Sequence, residues 1–348
     1  MSDTGKFIKD LYKKYPLAEV KDVYKALFQS TFGCEHLVHD EEAAADYIKR
    51  EANDCMLHGC DTEPLMGEYC RVYLDVIKNG LSAETFARLF VMSAEAAHDN
   101  DFEEKLAVFA DMAKNGEIPA DYEAVADFIE KMREQNYPPC HHSETYRREY
   151  HPAYRLMKRK YARYIPLFAA IDRLMREKER VVVAIDGGAA SGKTTLSKLL
   201  DSVYDANIFH MDDFFLREEQ RTPERFAEIG GNVDRERFLD EVLVPLCRGE
   251  VVNYRRFDCS TFTVKDGIEI APKKLNIVEG SYSMHPELSE KYDYSVFLAI
   301  PDEVQRERII TRNARMADRF FSEWIPLEMK YFNGFAIREK CDLVVDNV

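Results

Sequence analysis

Residues 181–200, VVVAIDGGAASGKTTLSKLL, constrain the fold of this chain more than any other stretch. An apolar, β-prone run enters a glycine-rich turn, and a helix-prone segment follows at once. Gly187 and Gly192 flank four residues, with Lys193 and Thr194 next, which completes the G-x4-G-K-[ST] pattern between strand and helix. Glycines let the backbone curl until successive N–H groups face one anion, and the positive end of the new helix adds to them. Gly187, Gly188, Ala189, Ala190, Ser191, Gly192, Lys193, Thr194 and Thr195 are therefore expected to hold phosphate. In this pattern Lys193 bridges the outer phosphates and the Thr194 hydroxyl is a ligand for Mg²⁺. A tight strand-to-helix turn without catalytic consequence is the plain alternative.

Around this turn the sequence predicts a parallel sheet. Beyond residue 180, β-branched runs alternate with helical segments: VVVAID, then NIFHM (207–211), LNIVEG (275–280), YSVFLAI (294–300) and DLVVD (342–346). Five such strands with intervening helices imply an α/β fold, a P-loop-type parallel five-stranded sheet covered on both faces. TFTVKDGIEIA reads as a β-hairpin turning at Asp266-Gly267, within an insertion at about 253–272. Residues 1–170 read as a separate all-α domain, because FEEKLAVFADMAKNG and DYEAVADFIEKMREQ space their apolar residues at three and four. The charged stretch IDRLMREKER (171–180) reads as a helical connector to the domain at 181–348.

Asp212 and Asp213 stand where the second strand of the sheet should end, and ligands of open α/β sheets gather at the carboxyl ends of strands. A carboxylate there can take a proton from an acceptor hydroxyl or hold a metal, so two adjacent ones point to a kinase rather than a bare nucleotide switch. Capping of the following turn by one of them is the plain reading.

From about residue 180 to the end, the chain resembles the uridine kinase, phosphoribulokinase and nicotinamide riboside kinase group of P-loop kinases. The resemblance rests on GGAASGKTT, MDDFF, NVDRERF, YRRFD, VEG, RERIITRNARMADR and REKCDLVV. It implies ATP and Mg²⁺ as cofactors and a small molecule bearing a hydroxyl as acceptor. It makes Asp212 the general base, with Asp213 beside it as a support or metal ligand. Asp234 matches an aspartate that accepts hydrogen bonds from ribose hydroxyls; a helix N-cap is its alternative. Tyr254, Phe257 and Asp258 fall among the acceptor-binding residues, and Glu279 matches an acidic position that acts on Mg²⁺ through water. Arg308 and Arg312 are expected to act in transfer and Arg315 on ATP, from an arginine lid at about 306–320 that also holds Arg319. Where uridine kinases place a base-reading histidine, this chain has Cys259, Ser260 and Thr261, so the resemblance leaves the acceptor's ring open.

The N-terminal half resists the same treatment. His36, His39, His141, His142 and His151 are candidates for a ligand set, and Cys55, His58 and Cys60 in CMLHGC for a metal site completed by Cys70 or by Cys34 and His36. No standard zinc spacing supports either, and reduced, buried thiols are the simpler reading. Between residues 146 and 164, Arg147, Arg148, Arg155, Lys158, Arg159, Lys160 and Arg163 interleave with five tyrosines. That pattern suits RNA or a phosphorylated effector, or a helix that packs its tyrosines and exposes its charges.

A net charge of -15 argues against broad attachment to nucleic acid or anionic lipid, which draws its affinity from excess Lys and Arg. No stretch approaches the ~18 apolar residues of a membrane span. A cytoplasmic protein without membrane or nucleic-acid partners, able to form a homo-oligomer, is expected. Two functions compete: a Mg²⁺-ATP-dependent kinase of a small hydroxylated metabolite, nucleoside-like by resemblance, and a nucleotide-gated module that binds RNA or protein and phosphorylates nothing.

Overall fold

The computed structural model of the chain describes residues 2–34, 40–94 and 101–347. His36 and His39, expected in a histidine cluster, lie outside the described residues. The chain divides into two compact units, Met1–Ala169 and Ala170–Val348.

In the first unit, apolar residues three and four apart form helices at Asp3–Lys14, Val20–Phe32, Phe102–Lys114 and Tyr122–Glu134. Their inward faces meet in one core, where Ile8, Val23, Leu27, Phe109 and Val125 are wholly buried. The expectation of an all-α domain needs correction, because three short strands form an antiparallel sheet in the order β1 (Thr62–Pro64), β2 (Tyr69–Tyr73), β3 (Tyr154–Lys158). All five residues of β2 are buried, so no polar alternation marks it as a strand.

The basic, tyrosine-rich stretch is likewise not one helix. Helix Glu144–Tyr150 ends at His151 in the left-handed conformation (φ 43°), β3 follows, and a short helix, Arg159–Ala162, completes it. Among the described residues, no group of three His, Cys, Asp or Glu side chains is arranged to hold a metal. His58 instead bonds Asp75 and the His151 carbonyl.

Arg71, on β2, is the largest wholly buried side chain of this unit. Its guanidinium donates to Glu63 at 3.1 Å and to Gln29 at 3.0 and 3.2 Å, and it stacks over the Tyr154 ring. The Glu63 carboxylate also accepts from Lys14, Tyr15 and Tyr73. Burial alone would raise its pKa, but Arg71, Lys14 and the two tyrosines outweigh it and hold the group below the usual carboxylate range.

In the second unit, the strands β4 (Val181–Gly187), β5 (Asn207–His210), β10 (Leu275–Glu279), β11 (Tyr294–Ala299) and β12 (Leu343–Asp346) form a five-stranded sheet in the order β12-β11-β4-β10-β5. Every neighbouring pair is parallel, as the alternating pattern predicts. All seven residues of β4 and all five of β10 are buried, as both-sided cover requires. Helix Ile165–Glu177 precedes β4, starting earlier than the 171–180 connector read from charge. No described helix is long and apolar enough to cross a membrane.

Between β5 and β10 the expected hairpin across Asp266-Gly267 does not form, and two nested antiparallel pairs take its place. Here β6 (Val252–Tyr254) pairs with β9 (Ile268–Ile270), and inside them β7 (Phe257–Asp258) pairs with β8 (Thr263–Val264), all antiparallel. The chain therefore reverses at Cys259–Phe262, where Phe262 takes a φ of 56° and its N–H bonds the Asp258 carbonyl. Asp266-Gly267 does not turn the chain, and Gly267 lies outside the left-handed region. Glycine serves there for close approach, because a Cβ would lie 1.7 Å from Asn253 Oδ1 on the paired strand.

Candidate active site

The parallel register brings three carboxyl ends together, since Glu279 of β10 lies between Ile185 of β4 and His210 of β5. The glycine-rich loop leaves β4 there, and helix Lys193–Tyr204 begins where it ends. Ala190 (φ 58°) and Gly192 (φ 100°) take left-handed conformations with one residue between them, which turns successive N–H groups toward one side as in an anion nest. No side chain caps this helix, so its first amides are left to an anion.

Gly187 is required on two counts. Its φ is 144°, and a Cβ would stand 2.5 Å from the Leu298 carbonyl oxygen of β11. Gly187→Ala should therefore lower the stability of the second unit by about 2–4 kcal/mol, through strained backbone and a displaced strand. Chemical denaturation of the full chain, followed through this unit, checks it; a loss below about 1 kcal/mol, less than a strained backbone conformation costs, would mean the loop moves freely.

Lys193 donates to the carbonyls of Gly187 (2.8 Å) and Gly188 (2.9 Å), which folds its ammonium over the loop. Thr194 donates to Glu279 Oε1 at 2.9 Å, and His210 Nδ1 lies 2.6 Å from the same oxygen. Burial would raise the Glu279 pKa, but His210, Lys193 and Thr194 together hold it low. The Thr194 hydroxyl and Glu279 carboxylate are hard oxygen donors, the chemistry that suits Mg²⁺.

Asp212 and Asp213 follow β5 in a 3-10 turn, and their roles separate. Asp213 accepts the Tyr254 hydroxyl at 2.7 Å and pairs with Arg256 at 3.3 Å, so its carboxylate is committed to protein partners. Asp212 is exposed and makes no hydrogen bond or ion pair with any described residue. Desolvation by the surrounding protein raises its pKa, opposed by Lys193 and His210 and reinforced by Glu279 and Asp213. The loop lysine and Glu279 thus both act on its charge.

The remaining candidates are distributed less simply. Tyr254, expected to bind acceptor, is 1% exposed; its hydroxyl takes the His210 N–H at 3.0 Å and supports Asp213. Asp234 is 1% exposed and caps helix Arg235–Phe238 through the Arg237 N–H, the role its sequence position also allowed. Phe257 is buried edge-on against Phe262, and Asp258 is held by Ser260 and Lys265. Those bonds depress the Asp258 pKa. Cys259 at the hairpin tip lies close enough to Asp212 and Asp213 to feel both charges. In the arginine segment, only Arg308 reaches the loop, donating to the Ala190 carbonyl at 3.4 Å. Arg312 and Arg315 are exposed, and Arg319 pairs with Glu323 at 3.0 Å. The helix that begins at Asp302 ends at Asn313, so the four arginines do not share one helical face.

Sequence reasoning missed His210, Ser281, Gln305 and Glu328. His210 and Ser281 adjoin the recognised MDDFF and VEG segments, and that adjacency was the available signal. Gln305 and Glu328 carry no local signal, because the Ala189 peptide they bond lies more than 100 residues away.

No family model matches this sequence, and no curated protein does. Among solved structures the chain is similar to a possible uridine kinase from Bacillus stearothermophilus, at 22% identity over 52% of this chain and 100% of that one, with a TM-score of 0.35. It is also similar to a candidate fructose transport system kinase from Silicibacter sp. TM1040, at 24% identity over 49% of this chain and 91% of that one, TM-score 0.36. A shikimate kinase from Bacteroides thetaiotaomicron matches at 14% identity over 48% and 86% of the two chains, TM-score 0.26. The likeness covers about half the chain.

Proposed function

We propose that the second unit is a Mg²⁺-ATP-dependent kinase that transfers the γ-phosphoryl group to a hydroxyl of a nucleoside-like or other small metabolite. One observation carries this reading: the Asp212 carboxylate has no hydrogen-bond or ion-pair partner among the described residues, and it feels the charges of Lys193 in the uncapped anion loop and of Glu279, the partner of Thr194. A nucleotide switch has no use for such a base.

The amides from Ala190 to Thr194 bind the β- and γ-phosphates, and Lys193 leaves its loop carbonyls to bridge them. Thr194 would hold Mg²⁺ directly and Glu279 through water; when bound, the ion neutralises charge on the phosphate oxygens. Asp212 takes the proton of the acceptor hydroxyl as the acceptor oxygen bonds to the γ-phosphorus. The bond from that phosphorus to the β–γ bridging oxygen breaks, and its electron pair leaves with ADP. Arg308, already at the loop, and Arg312 and Arg315, exposed and without an ion pair among the described residues, supply positive charge to the transferring group. The hairpin tip around Cys259, which feels the Asp212 and Asp213 charges, would form the acceptor-side wall.

The test is ADP release from the full chain with a panel of nucleosides and other hydroxylated metabolites, beside RNA without a small acceptor. One small alcohol should stimulate release. Stimulation by RNA alone would overturn the kinase in favour of a nucleotide-gated binder. Because the Asp212 pKa is raised and its base form is required, kcat/KM should climb with pH to a plateau whose midpoint lies above the ordinary aspartate value of about 4. A flat profile from pH 4 to 7 would remove Asp212 from the proton transfer.

A further inference from the structure

The arginine segment is tied to the anion loop at both of its ends, and both ties go to one residue. Gln305, on helix Asp302–Asn313, donates Nε2 to the Ala189 carbonyl at 2.8 Å. Glu328, on helix Ile325–Phe335, accepts the Ala189 N–H on Oε2 at 2.9 Å. Arg308, Arg312, Arg315 and Arg319 all lie between these two residues in sequence. The fit around the loop is close, since a Cβ on Gly188 would stand 2.9 Å from Gln305 Nε2 and 3.6 Å from Glu328 Oε2.

The second oxygen of Glu328 extends the connection. Oε1 accepts from the Ser281 hydroxyl at 2.6 Å, and that hydroxyl lies 3.4 Å from Lys193 Nζ and 3.0 Å from the Gly187 carbonyl oxygen. Glu328 is only 7% exposed. Burying a carboxylate is costly without compensation, and here the compensation is one loop amide, one hydroxyl and the nearby Lys193 charge. A helix whose only task was to cover the sheet would place an apolar residue at this position.

We propose that Gln305 and Glu328 are positioning residues that clasp the Ala189 peptide from the two ends of the arginine segment, so that the anion loop, Lys193 and the arginines are set in one geometry for transfer. This rests on the kinase reading for its catalytic consequence, although the clasp itself does not. Rearrangement of the loop around phosphate reaches both roots of the segment at once, and Arg308 is carried with them.

Gln305→Ala, Glu328→Ala and Glu328→Gln in the full chain test this. Amide hydrogen exchange over residues 306–320, without nucleotide, should quicken about tenfold in both alanine variants while β4 and β10 keep their protection. Glu328→Gln retains an oxygen for the Ala189 N–H and should stay near the wild-type rate. With the acceptor found in the panel, kcat should fall about tenfold in the alanine variants, with Mg-ADP affinity by calorimetry within threefold of wild type and kcat largely restored in Glu328→Gln. Unchanged exchange across 306–320 in both alanine variants overturns the clasp. So does tighter Mg-ADP binding by Glu328→Ala, which would make Glu328 a competitor for the phosphate position. If the wild-type chain binds no nucleotide, the kinase reading falls, and the exchange comparison still decides the clasp.

Discussion

Asp212→Asn is expected to lower acceptor-stimulated ADP release by about 10²–10⁴-fold, the range general-base catalysis supplies. The amide is isosteric and cannot take the acceptor's proton, so binding and chemistry should separate. Nucleotide affinity should remain within threefold, because phosphate is held by loop amides and Lys193 rather than by Asp212. The neighbouring position is the control. Asp213 is tied to Tyr254 and Arg256, so Asp213→Asn should disturb the turn that presents Asp212 and cost less than the Asp212 change. Retention of more than a tenth of wild-type turnover by Asp212→Asn would send the proton elsewhere.

Arg71→Met should destabilise the first unit by about 3–5 kcal/mol, the usual cost of removing one partner of a buried ion pair. Arg71 is 1% exposed, and its loss leaves Glu63 with the exposed Lys14 as its remaining cation beside Tyr15 and Tyr73, and leaves the Gln29 oxygen with the Tyr154 hydroxyl alone. In a unit of this size that corresponds to a fall in Tm on the order of 10 °C, measurable by calorimetry of the full chain. Arg71→Met combined with Glu63→Gln should recover part of the loss, since the second change removes the half-buried charge that Arg71 had balanced from within. A single variant that melts within 2 °C of wild type would show that water reaches Glu63 freely.

The two units were unequally legible in the sequence, for physical reasons. The anion loop could be read because its chemistry is a backbone requirement: glycine at φ values closed to other residues, then a lysine and a hydroxyl at fixed offsets. The five strands could be read because cover on both faces demands unbroken apolar runs, as in VVVAID and LNIVEG. The hairpin turn was misplaced because Asp-Gly is a strong local signal, while the true reversal depends on pairing between residues as far apart as Val252 and Ile270. Strand β2 was hidden because Arg71, the residue that looks least like core, is satisfied by Glu63 of the paired strand and by Gln29 and Tyr146 from distant segments. Glu328 was hidden for the same reason: a charged residue on a helix reads as surface until the amide it serves is in view. Asp213 and Tyr254 show the converse, where a motif named the right neighbourhood and the hydrogen bonds divided the labour within it.

The nested hairpin between β5 and β10 is closed at its base by β6 and β9, with Val252 and Tyr254 buried beneath it. Its reversal at Cys259–Phe262 stands clear of that closure. On the kinase reading proposed above, acceptor preference would thus be open to exchange as a cassette: new residues grafted between Asp258 and Thr263 would leave the pairing of β6 with β9 and the parallel sheet where they are.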